Sequence, residues 1–250
     1  MSSADQDDDP GAGTRGAESE PRNLTFGLTD TLGKAIVTGA YEAARFPTEA
    51  ELAERHKVSR SVTREAVKML TAKGLLTARP RRGTSVQPAA AWNLFDADVL
   101  RWLLERNFSL ALLRQFSDLR IAIEPAAAAL AAGLGDRAAI AAIEASYAGM
   151  AAAEAGGGDP LDADIAFHVA VLNASGNPFY RQFRDLVATA LHTSIRFTNR
   201  FEGRTASLPA HRAVLDAIAA GEAEAAREAM HRIIADVIGL IAEAEAQGRG

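Results

Sequence analysis

Between Pro47 and Val86 the chain carries start and stop signals so closely spaced that few arrangements can satisfy them all. Thr48-Glu49-Ala50-Glu51 is a capping box. In it the Thr hydroxyl and the Glu51 carboxylate each satisfy an amide that the first helical turn would leave bare. Pro47 and Leu52 are spaced to close an apolar staple over that turn. The first helix is about two turns long, Lys57-Val58 makes the turn, and Ser59 is placed to cap the next helix. Along that second helix Val62, Ala66, Met69 and Leu70 fall on one stripe suited to burial. Arg60, Arg64 and Lys68 recur every fourth residue on another face. Gly74 stands where a helix end favours a left-handed residue. Beyond it, Leu75–Arg79 and Thr84–Val86 can pair around the basic loop Pro80-Arg81-Arg82-Gly83.

Helix, short turn and helix, with cations on the outer face of the second, is the arrangement that sets a recognition helix in the major groove. The hairpin would act as a wing, carrying Arg81 and Arg82 to phosphates or into the minor groove. A charge stripe alone more often marks the solvated face of an ordinary helical hairpin. Here the capped short helix, the capped basic helix, the glycine stop and the basic hairpin coincide within about forty residues, which favours DNA binding.

The segment resembles the winged helix-turn-helix of the GntR family of bacterial transcription regulators. The resemblance is carried by Pro47-Thr48-Glu49, Leu52-Ala53, Val58-Ser59-Arg60, Val62, Arg64-Glu65-Ala66, Leu70, Gly74-Leu75 and Arg82-Gly83-Thr84. It implies a DNA-contacting set of Thr48, Ser59, Arg60, Ser61, Arg64, Arg81, Arg82 and Gly83. Some relatives have an Arg where Ala50 stands here, so the chain departs from the family contact set at that position.

A net charge of −5 looks wrong for a DNA binder until it is divided along the chain. Residues 1–24 carry two Arg against six acids, residues 25–88 eleven Lys or Arg against six acids, and residues 89–250 fourteen against twenty. The positive charge therefore sits in the one segment assigned to DNA, where phosphate attraction should be local and sensitive to salt. Cysteine is absent, which excludes disulfides and thiolate metal sites and suits a reducing cytoplasm. The polar, acidic N-terminus has no apolar signal core, and no run is long enough and free enough of charge to span a membrane. A soluble cytoplasmic protein without membrane contact is expected.

The expected organisation is a disordered acidic tail over residues 1–24, a winged helix-turn-helix over 25–88, a linker over 89–97 and a helical domain over 98–247. Leu24, Leu28, Leu32 and Ile36 predict a helix ending near Gly39 and packing behind the helix-turn-helix. After the linker, helix follows helix. Ser109 can cap a long one running towards Gly133, with Leu112, Leu113, Phe116, Leu119 and Ile123 as its buried face and a kink at Pro125. Asp136 caps an alanine-rich helix ending at Gly156-Gly157-Gly158, and another helix spans about 159–174. Asn177-Pro178 opens a helix reaching about Asn199, Ser207 opens one ending near Gly221, and the last runs from Glu222 to about Gln247. The fold class is mostly α, a winged helix-turn-helix followed by an all-α antiparallel bundle. The connector Trp92-Asn93-Leu94-Phe95-Asp96 and the helices after it resemble the FadR-type (FCD) subgroup of the family, in particular repressors of galactonate and related sugar-acid operons.

A second constellation lies in the helical domain. Asp164 and His168 are four apart and face the same way on one helix, and His211 opens a later helix. A carboxylate with imidazoles suits zinc, nickel or manganese. By itself such a pair is more often a surface ion pair or a hydrogen-bonded buried His. The resemblance adds weight, since many FCD members hold a metal with one Asp and three His. It also implies a last ligand at the position of Ile233, which cannot serve. His231 lies about 200° around the helix from it, and His192 is the candidate fourth ligand. Alternatively, Asp164, His168 and His211 hydrogen-bond effector hydroxyls directly. For an acidic effector the matching guanidinium is Arg120, whose competing reading is an intrahelical pair with Glu124. Together these features predict a homodimeric repressor on a palindromic operator, retuned by a small carboxylate or sugar acid. The rival is a helical metalloenzyme using Asp164, His168 and His211, although no nucleophile motif or further carboxylate supports it.

Overall fold

The structure is a computed structural model that describes residues 20–42, 44–79, 83–106, 110–192 and 206–247. It is mostly helical and separates into two compact units, Met1–Trp92 and Asn93–Gly250.

In the first unit α1 (Glu20–Val37) precedes α2 (Glu49–His56) and α3 (Arg60–Ala72), followed by strands β1 (Leu76–Arg79) and β2 (Gly83–Val86). Helix α1 begins four residues before the apolar repeat, so the expected tail of residues 1–24 overlaps it at Glu20–Leu24. The reason is local: Pro21 lacks the amide that a first turn leaves unsatisfied. The remainder of that tail lies outside the described residues. Leu28, Leu32 and Ile36 are buried at helical spacing, and α1 packs on α3. Gly39 (φ 73°) ends α1, with Ala40 N–H bonded to the Ala35 carbonyl.

The capping box forms as the sequence implies. Glu51 N–H donates to the Thr48 hydroxyl, and Thr48 N–H donates to Glu51 at 2.7 Å. Lys57 takes the left-handed conformation (φ 54°) that closes α2. Ser59 accepts from Val62 N–H at the start of α3. At the other end Gly74 (φ 77°) sets a Schellman stop, with Leu75 N–H on the Leu70 carbonyl and Gly74 N–H on that of Thr71. The strands pair antiparallel in the register Leu76↔Val86 to Arg79↔Gly83. The loop between them, 80–82, lies outside the described residues.

The second unit holds α4 (Ala97–Arg106), α5 (Leu110–Leu134), α6 (Arg137–Glu154), α7 (Pro160–Ala174), α8 (Pro178–Gln182), α9 (184–192), α10 (Leu208–Ala219) and α11 (Ala223–Ala246). Asp96, Asp136, Asp159 and Asn177 each accept amides of the turn they open. Ser109, the expected cap of α5, lies outside the described residues. Helix α5 continues on both sides of Pro125, although the proline leaves the Ile121 carbonyl without its in-helix donor.

The helix expected from Pro178 to Asn199 is interrupted. Phe183 N–H bonds the Tyr180 carbonyl three residues back, ending the α ladder, and the Phe183 ring packs edge-on against Phe95, 5.9 Å between centroids. The α ladder resumes where Val187 N–H reaches the Phe183 carbonyl. Residues 193–205 lie outside the description. Helix α5 packs on α7, α10 and α11, and α6 on α7 and α10. The core is alanine and leucine with Phe167 fully buried, at about 2 kcal/mol for each large apolar side chain removed from water.

Candidate functional site

Two features stand apart from ordinary packing: the cationic face of α3 in the first unit and a buried polar group in the second. On α3, Val62, Ala66, Val67 and Leu70 are buried, whereas Arg60, Ser61, Arg64, Glu65 and Lys68 are exposed. The periodicity that anchors the helix thus turns its cations outward. Arg64 Nε lies 3.6 Å from Glu49 on α2, and Lys68 lies 3.4 Å from Glu65. Such exposed pairs contribute little, so a phosphate or base edge can replace the acid at small cost. Thr48, Ser59 and Gly83 are exposed as well. The wing residues Arg81 and Arg82 lie outside the described residues.

In the second unit five polar side chains from three helices meet inside the bundle. Helix α5 supplies Arg120 and Glu124, α7 supplies Asp164 and His168, and α10 supplies His211; all five are buried. Arg120 donates through Nε to Glu124 Oε1 and through Nη2 to Oε2 at 3.3 Å. His168 Nδ1 lies 2.6 Å from Glu124 Oε2. Burial pushes the Glu124 carboxyl up, but the charge of Arg120 and then the His168 ring beside it outweigh it and hold the group at about 2. An ionised carboxylate only accepts, so Nδ1 of His168 carries the hydrogen. The 3.4 Å approach of Arg120 Nη2 to the same nitrogen is the weaker contact.

His211 is oriented in the same way. Its Nδ1 lies 2.9 Å from the Ser207 carbonyl one turn earlier. A carbonyl also only accepts, so Nδ1 of His211 carries a hydrogen and Nε2 is the nitrogen turned towards Asp164. That Nε2 is 3.0 Å from Asp164 Oδ1, and neither atom has another partner. His168 Nε2 is 3.9 Å from the same oxygen. Phe167 closes one side, its ring T-shaped to His211 at 5.0 Å. Burial alone would raise the Asp164 carboxyl, but His211, His168 and Arg120 pull it below the usual carboxylate range.

Two buried polar atoms left without partners cost about 1–3 kcal/mol apiece unless something satisfies them. Ligand atoms of Asp164, His168 and His211 all lie within 4.8 Å of one another, an arrangement that could hold a metal ion. The donor set of two imidazoles and a carboxylate fits zinc, nickel or manganese.

Of the residues singled out from sequence, Arg120, Asp164, His168 and His211 converge here. His192 does not join the group. It is exposed on α9, outside the three residues whose ligand atoms come together. Ile233 is half-buried against the apolar core, and His231 is exposed. Arg120 adopts the pairing with Glu124 that competed with an effector role. Sequence reasoning missed Glu124 as the partner of His168. The Arg120–Glu124 spacing was visible, but not that both residues are buried.

Comparison with known proteins gives the site its setting. Residues 27–86 match the family described as "Bacterial regulatory proteins, gntR family", and residues 115–236 match the FCD domain. The chain belongs to the GntR family and is a transcriptional regulator whose FCD domain is the effector-binding part. It is 35% identical to the galactonate operon transcriptional repressor of Escherichia coli, over 85% of this chain and 94% of that one. It is 36% identical to the uncharacterized HTH-type transcriptional regulator YieP of the same organism, over 85% and 93% of the two chains. LutR of Bacillus subtilis, an HTH-type transcriptional regulator, is 30% identical over 72% of this chain and 83% of its own. The solved structure of Lar, which controls the agr system of Listeria monocytogenes, covers 88% of this chain and 97% of its own with a TM-score of 0.52; at 20% identity this likeness shows the fold. The family and these relatives are regulators, not enzymes, which removes the metalloenzyme rival. Among the described residues, no helix is long and apolar enough to cross a membrane.

Proposed function

We propose that the chain is a cytoplasmic repressor that holds a palindromic operator as a homodimer and is released by a small carboxylate, of the sugar-acid type, bound at the buried polar site. The reading is carried by Asp164 Oδ1 and His211 Nε2, two buried polar atoms without partners inside the effector domain of a DNA-binding family. The galactonate repressor among the relatives supports the sugar-acid class and the negative sign of regulation. Residues 25–88 bind DNA through Thr48, Ser59, Arg60, Ser61, Arg64 and the wing residues Arg81, Arg82 and Gly83. Residues 89–97 link them to the effector and dimerisation domain, 98–247.

Asp164, His168 and His211 would hold a divalent zinc, nickel or manganese. Such an ion supplies positive charge and accepts oxygen donors. Arg120 gives Nε and Nη2 to Glu124 and keeps Nη1 for an effector carboxylate. A two-fold dimer sets two recognition helices on two half-sites. Release requires that the effector bind the non-operator geometry more tightly than the operator geometry; tight binding alone shifts nothing.

Thermal denaturation with a panel of sugar acids and the three metals, with and without chelator, tests the ligand class. A stabilising acid whose effect chelation abolishes is the expected result. The same acid should release the protein from duplexes selected out of random sequence. Stabilisation by no carboxylate, or release by none, would refute the proposal.

A further inference from the structure

We infer that Glu124, anchored by Arg120, is the positioning residue of the buried site: its carboxylate takes the Nδ1–H of His168 and so leaves the lone pair of that ring on the opposite nitrogen, Nε2. The inference deepens the proposed effector and metal site and rests on it for its purpose, though not for its geometry. Both oxygens of Glu124 are occupied, Oε1 by Arg120 Nε and Oε2 by His168 Nδ1 at 2.6 Å. Glu124 touches His168 but is not one of the three residues whose ligand atoms lie within 4.8 Å of one another. The Ser207 carbonyl holds the Nδ1 side of His211 in the same way, at 2.9 Å. Each imidazole is therefore gripped at Nδ1 by an oxygen, and its Nε2 lies on the Asp164 side, at 3.9 Å and 3.0 Å from Oδ1.

Packing alone does not explain this expense. A buried ion pair is often no more stabilising than apolar residues of the same volume, and α5 already buries Ala127, Ala128 and Ala131 one and two turns on. A second oxygen that fixes the tautomer of a ligating imidazole and sharpens its basicity is a recurrent partner in metal and ligand sites. Arg120 serves that purpose by gripping the Glu124 carboxylate from the other side, through Nε on Oε1, so that Oε2 stays turned to His168.

The test needs no effector. In metal-stripped protein labelled with 15N-histidine, long-range 1H–15N spectra should show His168 and His211, when neutral, with hydrogen on Nδ1 and a lone pair on Nε2. Glu124→Ala should move His168, and not His211, towards the Nε2–H form. Zinc affinity, measured by competition with a chromophoric chelator, should fall by about 10–100-fold in Glu124→Ala. Glu124→Gln keeps a single acceptor oxygen, for which Arg120 and His168 compete, so it should restore the tautomer and the affinity only in part. If Glu124→Ala loses its helical circular dichroism, the paired change Arg120→Met with Glu124→Gln removes both charges and keeps the acceptor; wild-type tautomers in that protein would support the assignment. A wild-type His168 carrying its hydrogen on Nε2 overturns the inference, as does a folded Glu124→Ala with wild-type zinc affinity. Wild-type protein that shows the expected tautomers but takes no zinc would uphold the positioning role and refute the metal reading.

Discussion

Arg120→Met leaves an ionised Glu124 buried with only His168 to answer it. Two routes give the size of the effect. Removing one partner of a buried pair costs about 3–5 kcal/mol. Independently, the Glu124 carboxyl stands at about 2 in the folded chain against 4.5 for the free group, and that difference corresponds to about 3 kcal/mol of linked stability. The effects of burial and of Arg120 oppose each other at this carboxyl, so the guanidinium is what keeps the balance favourable. Arg120→Met and Glu124→Leu, each alone, should lower stability by about 3 kcal/mol, whereas the double variant should lose far less than the sum.

Urea denaturation followed by far-ultraviolet circular dichroism at neutral pH measures the cycle. The pH profile is a second readout. Because folding depresses the carboxyl, its contribution is complete above about 4.5 and is lost as pH falls towards about 2. That acid limb should flatten in the double variant. Single variants costing under about 1 kcal/mol and adding independently would refute a coupled buried pair.

Three further outcomes follow from local geometry. Arg64→Ala should weaken operator binding by about 1–3 kcal/mol and relax specificity if the side chain reads a base; unchanged mobility shifts would remove it from the contact set. Thr48→Ala deletes the capping hydroxyl of α2 and should cost about 1 kcal/mol in chemical denaturation, whereas an unchanged midpoint would mean the cap contributes nothing. Gly176→Ala forces a side chain onto φ +65°, with a Cβ 2.5 Å from Leu134 Cδ1. The backbone strain should cost about 1–2 kcal/mol, since the leucine tip can move aside, and a thermal midpoint equal to wild type would contradict the strained turn.

Local rules made the first unit legible. Thr48, Ser59 and Gly74 act within one turn of themselves, so their capping roles follow from spacing alone. The break at Phe183 was not legible, because its ring meets Phe95, far away in the chain, and no periodicity encodes that contact. At the buried site the pairs one turn apart were visible: Asp164 with His168, and Arg120 with Glu124. Their burial was not, since a charged i,i+4 pair on an alanine-rich helix reads as a solvated face. The contact between Glu124 and His168 spans two helices and became evident only once α5 and α7 packed. His192 shows the converse, a residue of suitable chemistry whose helix turns it to solvent.

The most direct test of whether the buried site governs the DNA-reading face is the operator affinity of wild type and Asp164→Ala, measured by fluorescence anisotropy with and without the stabilising carboxylate. Wild type should bind the duplex and release it as the acid is added, while Asp164→Ala should bind equally well and fail to release. A variant that lets go of DNA at the same acid concentration as wild type would contradict the account.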